Sequence, residues 1–433
     1  MTALLDSLQA SFDALPDGAI DARGLGHMRR SAMQQSLRDG LPTQRSERWK
    51  YTSLRALSAR RLVGDATTPS LHPAAIADIP SPRLVFVNGR FDAGLSQLDD
   101  LSAGLTFAAL SASPGVDLPL LAEILSRPYR AADDVFARLN CALAVDGGWL
   151  SVGAGVQVEA PVHLVLIGAP ASDDIASHLR HAIMMGEGSK LTLVEHHLSV
   201  GTHRHLTNHV LDARICAGAS LVHARVQDED EGATLFGRVD AHLDADAVYQ
   251  RLDLDMGGAL SRFELNVALA GDRARVISGG ALLAGLRRHA DTRLAISHQA
   301  RDTQCNLLWR VLAADRARIA FHGGITIQVG ADGSDARLSN KNLLLSPGAE
   351  IDTQPVLQIY ADEVKAAHGA TVGRLDAASL FYLRSRGIPA AQARALLTQA
   401  FCREALSSIG DLSLVEMLSP RLEARLATLE AES

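Results

Sequence analysis

The sequence predicts a mainly β chain, a β-helix core between helical ends, and three observations carry that prediction. From about residue 147 the chain breaks into short stretches of alternating apolar and polar residues, such as Val162-His163-Leu164-Val165-Leu166 and Phe263-Glu264-Leu265-Asn266-Val267-Ala268-Leu269, separated by Gly, Asp and Asn turns. Inside this region a four-residue theme of turn, small, polar and aliphatic residue returns: Gly188-Ser189-Lys190-Leu191, Gly218-Ala219-Ser220-Leu221, Arg273-Ala274-Arg275-Val276, Arg316-Ala317-Arg318-Ile319 and Gly348-Ala349-Glu350-Ile351. Aromatic residues make up only 4% of the chain, which suits narrow stacked coils filled by aliphatic ladders.

Residues 1–146 read as a helical and α+β region. Leu4, Leu5, Leu8, Phe12 and Leu15 recur at helical spacing, and Leu25, Met28, Met33 and Leu37 continue the pattern up to Gly40. Between residues 45 and 140 the signals are mixed, with a short strand expected over 84–88 and proline-containing loops around Pro80, Pro82 and Pro114. Residues 147–370 form the predicted β-helix core. In a coil the small residue of the theme fits where the backbone bends, and the aliphatic residue two places on points into the stacked interior. The copies are irregularly spaced, so a large β-sandwich would give a similar texture.

Residues 371–433 are predicted helical. Asp376 is placed to cap a helix whose apolar side is Leu380, Phe381 and Leu383, Gly387 ends it, and Pro389 starts a second. There Ala393, Leu396, Leu397, Ala400 and Phe401 form the expected buried stripe. A third segment over 412–426, interrupted at Pro420, completes a bundle or hairpin.

Composition narrows the function. A chain of 433 residues exceeds what one core usually serves and fits several regions or an elongated one. Hydrophobic residues at 47% and charged residues at 21% fit a folded soluble chain, and a net charge of −7 argues against a general phosphate-backbone binder. Cys141, Cys216, Cys305 and Cys402 lie far apart with no CxxC pair, as expected of reduced thiols in the cytoplasm. The first fifteen residues carry Asp6 and Asp13 where a leader would be basic and then apolar, so neither export nor membrane insertion is expected.

Two constellations could carry chemistry. Glu195-His196-His197 with His203, His205 and His209 offers imidazoles and a carboxylate, a donor set suited to zinc, iron or nickel. On an alternating strand His203 and His205 share a face, which gives a cupin-like, metal-dependent enzyme as the alternative function. The glutamate such a site needs is missing from Leu206-Thr207-Asn208-His209-Val210-Leu211, and the simpler reading is solvent-facing or turn histidines. Neither GxSxG nor a Walker-type GxxxxGK[ST] occurs, so hydrolases and kinases lack their minimum parts, and Gly279-Gly280 and Gly323-Gly324 read as β-turn glycines. The second constellation is the run from Gln358 to Gly373, in which His368 is followed by Gly369 and small residues that leave its ring uncovered.

That run carries a resemblance. Ile359-Tyr360-Ala361-Asp362-Glu363-Val364-Lys365, then His368-Gly369-Ala370-Thr371-Val372-Gly373-Arg374-Leu375-Asp376, then Phe381-Tyr382-Leu383-Arg384-Ser385-Arg386-Gly387-Ile388 closely resembles the C-terminal signature of the SufB/SufD family. Trp49-Lys50-Tyr51-Thr52 resembles the family's N-terminal element, and Asn340-Lys341-Asn342-Leu343-Leu344-Leu345-Ser346 the stretch before the signature. Around His368 and Phe381 the chain is similar to the SufD branch, since SufB-like chains usually carry a His-Glu pair where this one has His368-Gly369.

The resemblance implies a right-handed parallel β-helix that is not an enzyme but a scaffold subunit for iron–sulfur cluster assembly. It implies pairing with a SufB-like subunit and binding of a SufC-like ATPase through the C-terminal helices, with a homodimer as the alternative for the isolated chain. It further implies that His368 faces the partner where a nascent cluster is shared, with none permanently bound, and that Phe381, Tyr382, Arg384, Arg386 and Phe401 contact partners. Ala366 stands where the family often has Cys, and Gln358 where it often has Glu. Ala366 offers no thiolate, so any thiolate ligand is expected from the partner.

Overall fold

In the computed structural model, which describes residues 2–65, 69–112 and 118–431, two long sheets wind together as a parallel β-solenoid of about eight turns. Strands β1 (Arg83–Val87), β2 (Arg90–Phe91) and β3 (Leu105–Ala109) come first, followed by β4 (Gly148–Val152), β5 (Val162–Gly168), β6 (Ala176–Met185), β7 (Lys190–Ser199) and β8 (Leu206–Ile215). The winding continues through β9 (Ser220–Asp228), β10 (Thr234–Leu243), β11 (Val248–Asp255), β12 (Leu260–Leu269), β13 (Arg275–Ala284) and β14 (His289–His298). It ends with β15 (Gln304–Ala313), β16 (Arg318–Ile327), β17 (Asp335–Leu344), β18 (Glu350–Ile359) and β19 (Lys365–Gly373).

Odd-numbered strands from β5 onward, with β1 and β2, form a ten-stranded sheet; even-numbered strands from β4 onward, with β3, form a nine-stranded one. Coils stack in parallel register, Leu206 beside Thr234 and Thr234 beside Leu260, whereas an immunoglobulin-type sandwich would be antiparallel. The strand expected over 84–88 is β1, and it extends the solenoid by pairing in parallel with β5. Pro114 lies outside the described residues.

The four-residue theme accounts for the winding. Gly188 and Gly218 take φ of 63° and 65°, a left-handed turn that costs glycine little. Ser189, Ala219, Ala274 and Ala317 are buried at the bend, and Leu191, Leu221, Val276 and Ile319 fill the lumen.

Helices cover the two sheets from outside. At the N-terminal end these are α1 (Ala3–Asp13), α2 (Asp17–Ile20), α3 (Gly26–Asp39), α4 (Arg55–Ser58), α5 (Leu118–Leu125) and α6 (Val135–Leu143). Leu4, Leu8, Trp49 and Phe136 pack on Leu206, Val210 and Phe236 of the nine-stranded sheet, and the rings of Phe136 and Phe236 stack at 3.7 Å. At the C-terminal end α7 (Ala377–Ser385), α8 (Ala390–Leu406) and α9 (Leu412–Ala431) follow the solenoid. Leu414, Leu418, Leu422 and Leu426 of α9 pack on Val194, Val222, Leu252 and Leu254 of the ten-stranded sheet.

Three local expectations are corrected. Helix α9 runs through Pro420 without a break, because its leucine stripe docks on the sheet and that packing outweighs a cost of about 3 kcal/mol for an internal proline. On α8 the buried face is Ala393, Thr398, Cys402, Ala405 and Leu406, while Leu396 and Ala400 are exposed. Small residues face the sheet because the chain comes close there: a Cβ added at Gly279 would lie 2.9 Å from the Ala405 carbonyl oxygen and 2.1 Å from Ser408 Oγ. Gly279-Gly280 and Gly323-Gly324 accordingly sit inside β13 and β16 and not in turns. Gly280 makes room for the Trp309 ring and Gly323 for Leu338, each 2.5 Å from where a Cβ would stand.

Candidate functional site

The last coil, β18 and β19, closes one end of both sheets, and no described strand pairs with its outer side. Its residues are exposed or half-buried where those of inner coils are buried. Such an edge carries a row of unused backbone donors and acceptors that a second chain can pair with. His368 lies on β19 beside Leu338 of β17. Ala366, two residues earlier, packs against the lumen core, so strand alternation puts His368 on the same inward row. It is nonetheless exposed, for no coil stacks above it. A Cβ at Gly369 would meet nothing within 4 Å, so the approach to the ring is open.

Beyond this edge Asp376 caps α7, its carboxylate accepting from the Ser379 N–H at 2.8 Å and the Ala378 N–H at 3.4 Å. Among the described residues α7 buries none. Phe381 is 75% and Tyr382 58% exposed, Arg384 and Arg386 are exposed, and the Arg386 guanidinium lies over the Tyr382 ring at 5.2 Å. Phe401 differs: it is half-buried, packs on the α9 cluster, and receives the Arg310 guanidinium at 5.8 Å. Four of the five residues therefore form an exposed apolar and cationic patch, and the fifth seats α8 on the solenoid.

The histidine-rich stretch is not at the surface. His196, His197, His203, His205 and His209 are all buried, which overturns the expectation of solvent-facing or turn histidines. His203 and His205 stack with ring centroids 4.6 Å apart, yet all four ring nitrogens are taken. His203 Nε2 meets Ser199 Oγ at 2.8 Å, and His203 Nδ1 accepts from the His205 N–H at 3.2 Å. His205 Nε2 donates to the Ala169 carbonyl at 2.7 Å, and its Nδ1 accepts from the Ile175 N–H at 3.1 Å. The pair is a structural clasp between coils.

Glu195, His197 and His209 instead point into the lumen, where His223 joins them. Burial pushes the Glu195 carboxyl up, but the imidazoles of His209 and His197 outweigh burial and hold it well below the usual range. Burial pushes His197 and His223 down to about 4. Deeper along the lumen Arg225 bonds Asp253 at 2.8 Å and Asp255 at 3.0 Å, and Arg251 bonds Asp253 at 2.7 Å. Sequence reasoning missed His223, Arg225, Arg251 and Asp253. The theme itself held the signal: once Leu191 and Leu221 face inward, strand alternation carries Glu195, His197, His223 and Arg225 inward too.

A parallel solenoid with helical covers and an open terminal coil defines a β-solenoid class of architecture. Residues 168–401 match the SufBD core domain of SUF-system FeS cluster assembly, and residues 17–164 match the SufBD protein N-terminal region. The chain belongs to the SufBD family of iron–sulfur cluster assembly proteins. It is 31% identical over 398 residues to the iron–sulfur cluster assembly protein SufD of Escherichia coli, covering 91% of each chain. It is 29% identical to a SufBD family protein of Synechocystis sp. over 86% of this chain and 85% of the relative. With SufD of Bacillus subtilis it shares 27% over 61% of this chain and 60% of the relative.

Proposed function

We propose that this chain is a non-catalytic, cytoplasmic scaffold subunit that pairs with a SufB-like subunit through the β18–β19 coil and binds a SufC-like ATPase through α7 and α8. The nascent cluster is cargo at the first interface, where His368 contributes an imidazole and the partner contributes thiolates. The observation that carries the reading is the terminal coil, which leaves both sheet edges unpaired and an inward-row histidine uncovered. The exposed Phe381 and Tyr382 beside Arg384 and Arg386 support the second contact, since aromatic and arginine side chains are the usual anchors of interfaces.

The test mixes the full-length chain with SufB-like and SufC-like proteins and follows complex formation by size-exclusion chromatography. A stable complex is expected, with the ATPase lost from a Phe381→Ala/Tyr382→Ala variant. A His368→Ala chain is expected to remain in the complex but to support little cluster assembly in cells. A wild-type chain that ignores both proteins, or that turns over a small substrate alone, would sink the reading.

A further inference from the structure

The acids and bases of the lumen do not balance locally. Asp253 and Asp255 are matched by Arg225 and Arg251. Glu195 is buried in the same lumen, and the described groups bonded to its carboxylate or paired with it are imidazoles. His223 Nε2 lies 3.0 Å from Oε2 and fixes that oxygen, while His197 Nε2 and His209 Nε2 both approach Oε1, the latter at 2.9 Å. His209 is wholly buried; its Nε2 lies 2.9 Å from Oε1, and among the described residues its Nδ1 has no hydrogen-bond partner. A buried imidazole left in that state costs about 1–3 kcal/mol.

We infer that Glu195 Oε1, His197 Nε2 and His209 Nε2 form a buried site for one divalent transition-metal ion, with His223 as the positioning residue that orients the carboxylate. The three donor atoms lie within 4.8 Å of one another, and both imidazole nitrogens are in hydrogen-bond contact with Oε1, His209 Nε2 at 2.9 Å, so ligands about 2.0–2.2 Å from a common tetrahedral ion require those two edges to open to about 3.4 Å. Two imidazoles and one carboxylate suit Zn(II), Fe(II) or Co(II) and disfavour Ca(II) and Mg(II), which take oxygen shells. Ligating carboxylates are hydrogen-bonded in turn in such sites, as Oε2 is here by His223. The site is distinct from the HxH pair His203 and His205, whose nitrogens are already bonded.

Since Glu195, His197 and His209 are all buried, loading accompanies folding. The full-length chain is therefore refolded from denaturant with Co(II) as the probe, desalted, and read by elemental analysis and visible absorption. About one equivalent retained, with cobalt d–d bands, is expected. Glu195→Gln and His209→Gln chains should lose both signals, and a His203→Gln/His205→Gln chain should keep them. Wild-type chain that folds but retains no cobalt overturns the inference, even if the variants fail to fold. Equal retention by Glu195→Gln, or loss in the His203/His205 variant, overturns the ligand assignment. No partner is present, so this outcome is separate from that of the docking reading.

Discussion

His209 and His368 occupy inward rows of the same solenoid, and the number of coils above each separates their roles. His209 sits in the middle of the stack, fully buried against a carboxylate and other imidazoles. His368 sits in the terminal coil, on the same kind of row, and is exposed. In a stacked fold each coil is the lid of the one below. An inward polar residue is thus part of the core until the stack ends, where it becomes exposed at an unpaired edge.

The comparison breaks most sharply at the central lumen. Replacing Asp253 by Ala leaves Arg251 without its carboxylate and Arg225 with Asp255 alone, both guanidinium groups being fully buried. A loss of about 3–5 kcal/mol is expected, read as a fall in the urea midpoint with the slope retained. A loss no larger than that of an exposed substitution would mean that the lumen is wet and its charges are not held as a network.

Acid sharpens the same contrast. Burial pushes His197, His223 and His203 down to about 4, so in the unfolded chain they take up protons first. Stability from these groups is complete above about pH 6.5 and is lost as pH falls toward 4, each histidine contributing up to about 1.4 kcal/mol per pH unit. Glu195, held low in the fold, adds to the loss as pH drops below its ordinary carboxylate range. Urea midpoints at a series of pH values should fall steeply over this window, and less steeply for His223→Gln. A midpoint flat from pH 7 to 4.5 would refute the neutral, buried assignment.

Much of this was legible in sequence, and the gaps have physical causes. The turn-small-polar-aliphatic theme identifies the solenoid because its small residue and its inward aliphatic are demands of the bend. Its irregular spacing arises because its copies fall on both sheets, at the starts of β7, β9 and β13 of one and β16 and β18 of the other, and because coils differ in length, with 26 residues between Thr234 and Leu260 and 33 between Trp149 and Ala182. What misled was polarity. In Tyr249-Gln250-Arg251-Leu252-Asp253-Leu254-Asp255 ordinary alternation puts leucines inside, but Leu252 and Leu254 face outward under α9 while Arg251 and Asp253 fill the lumen. Only the parity set by the theme, not hydrophobicity, distinguishes the two. Likewise α8 hides its small residues and shows Leu396, since a close backbone approach at Gly279 selects size over apolarity.

The smallest effect on the fold is expected at His368. Its ring has no coil above it, a Cβ on Gly369 beside it would meet nothing within 4 Å, and the inward row is held by Leu338 beneath it and Ala366 beside it. Removing the imidazole therefore takes away no packing, and surface changes of this kind shift stability little. A His368→Ala chain should show the wild-type urea midpoint and the wild-type acid profile. If it does so while cluster assembly fails, the defect lies in what the terminal coil presents to a partner. If the midpoint falls as it does for a lumen variant, His368 is a core residue after all, and the distinction between the sealed and open ends of the row disappears.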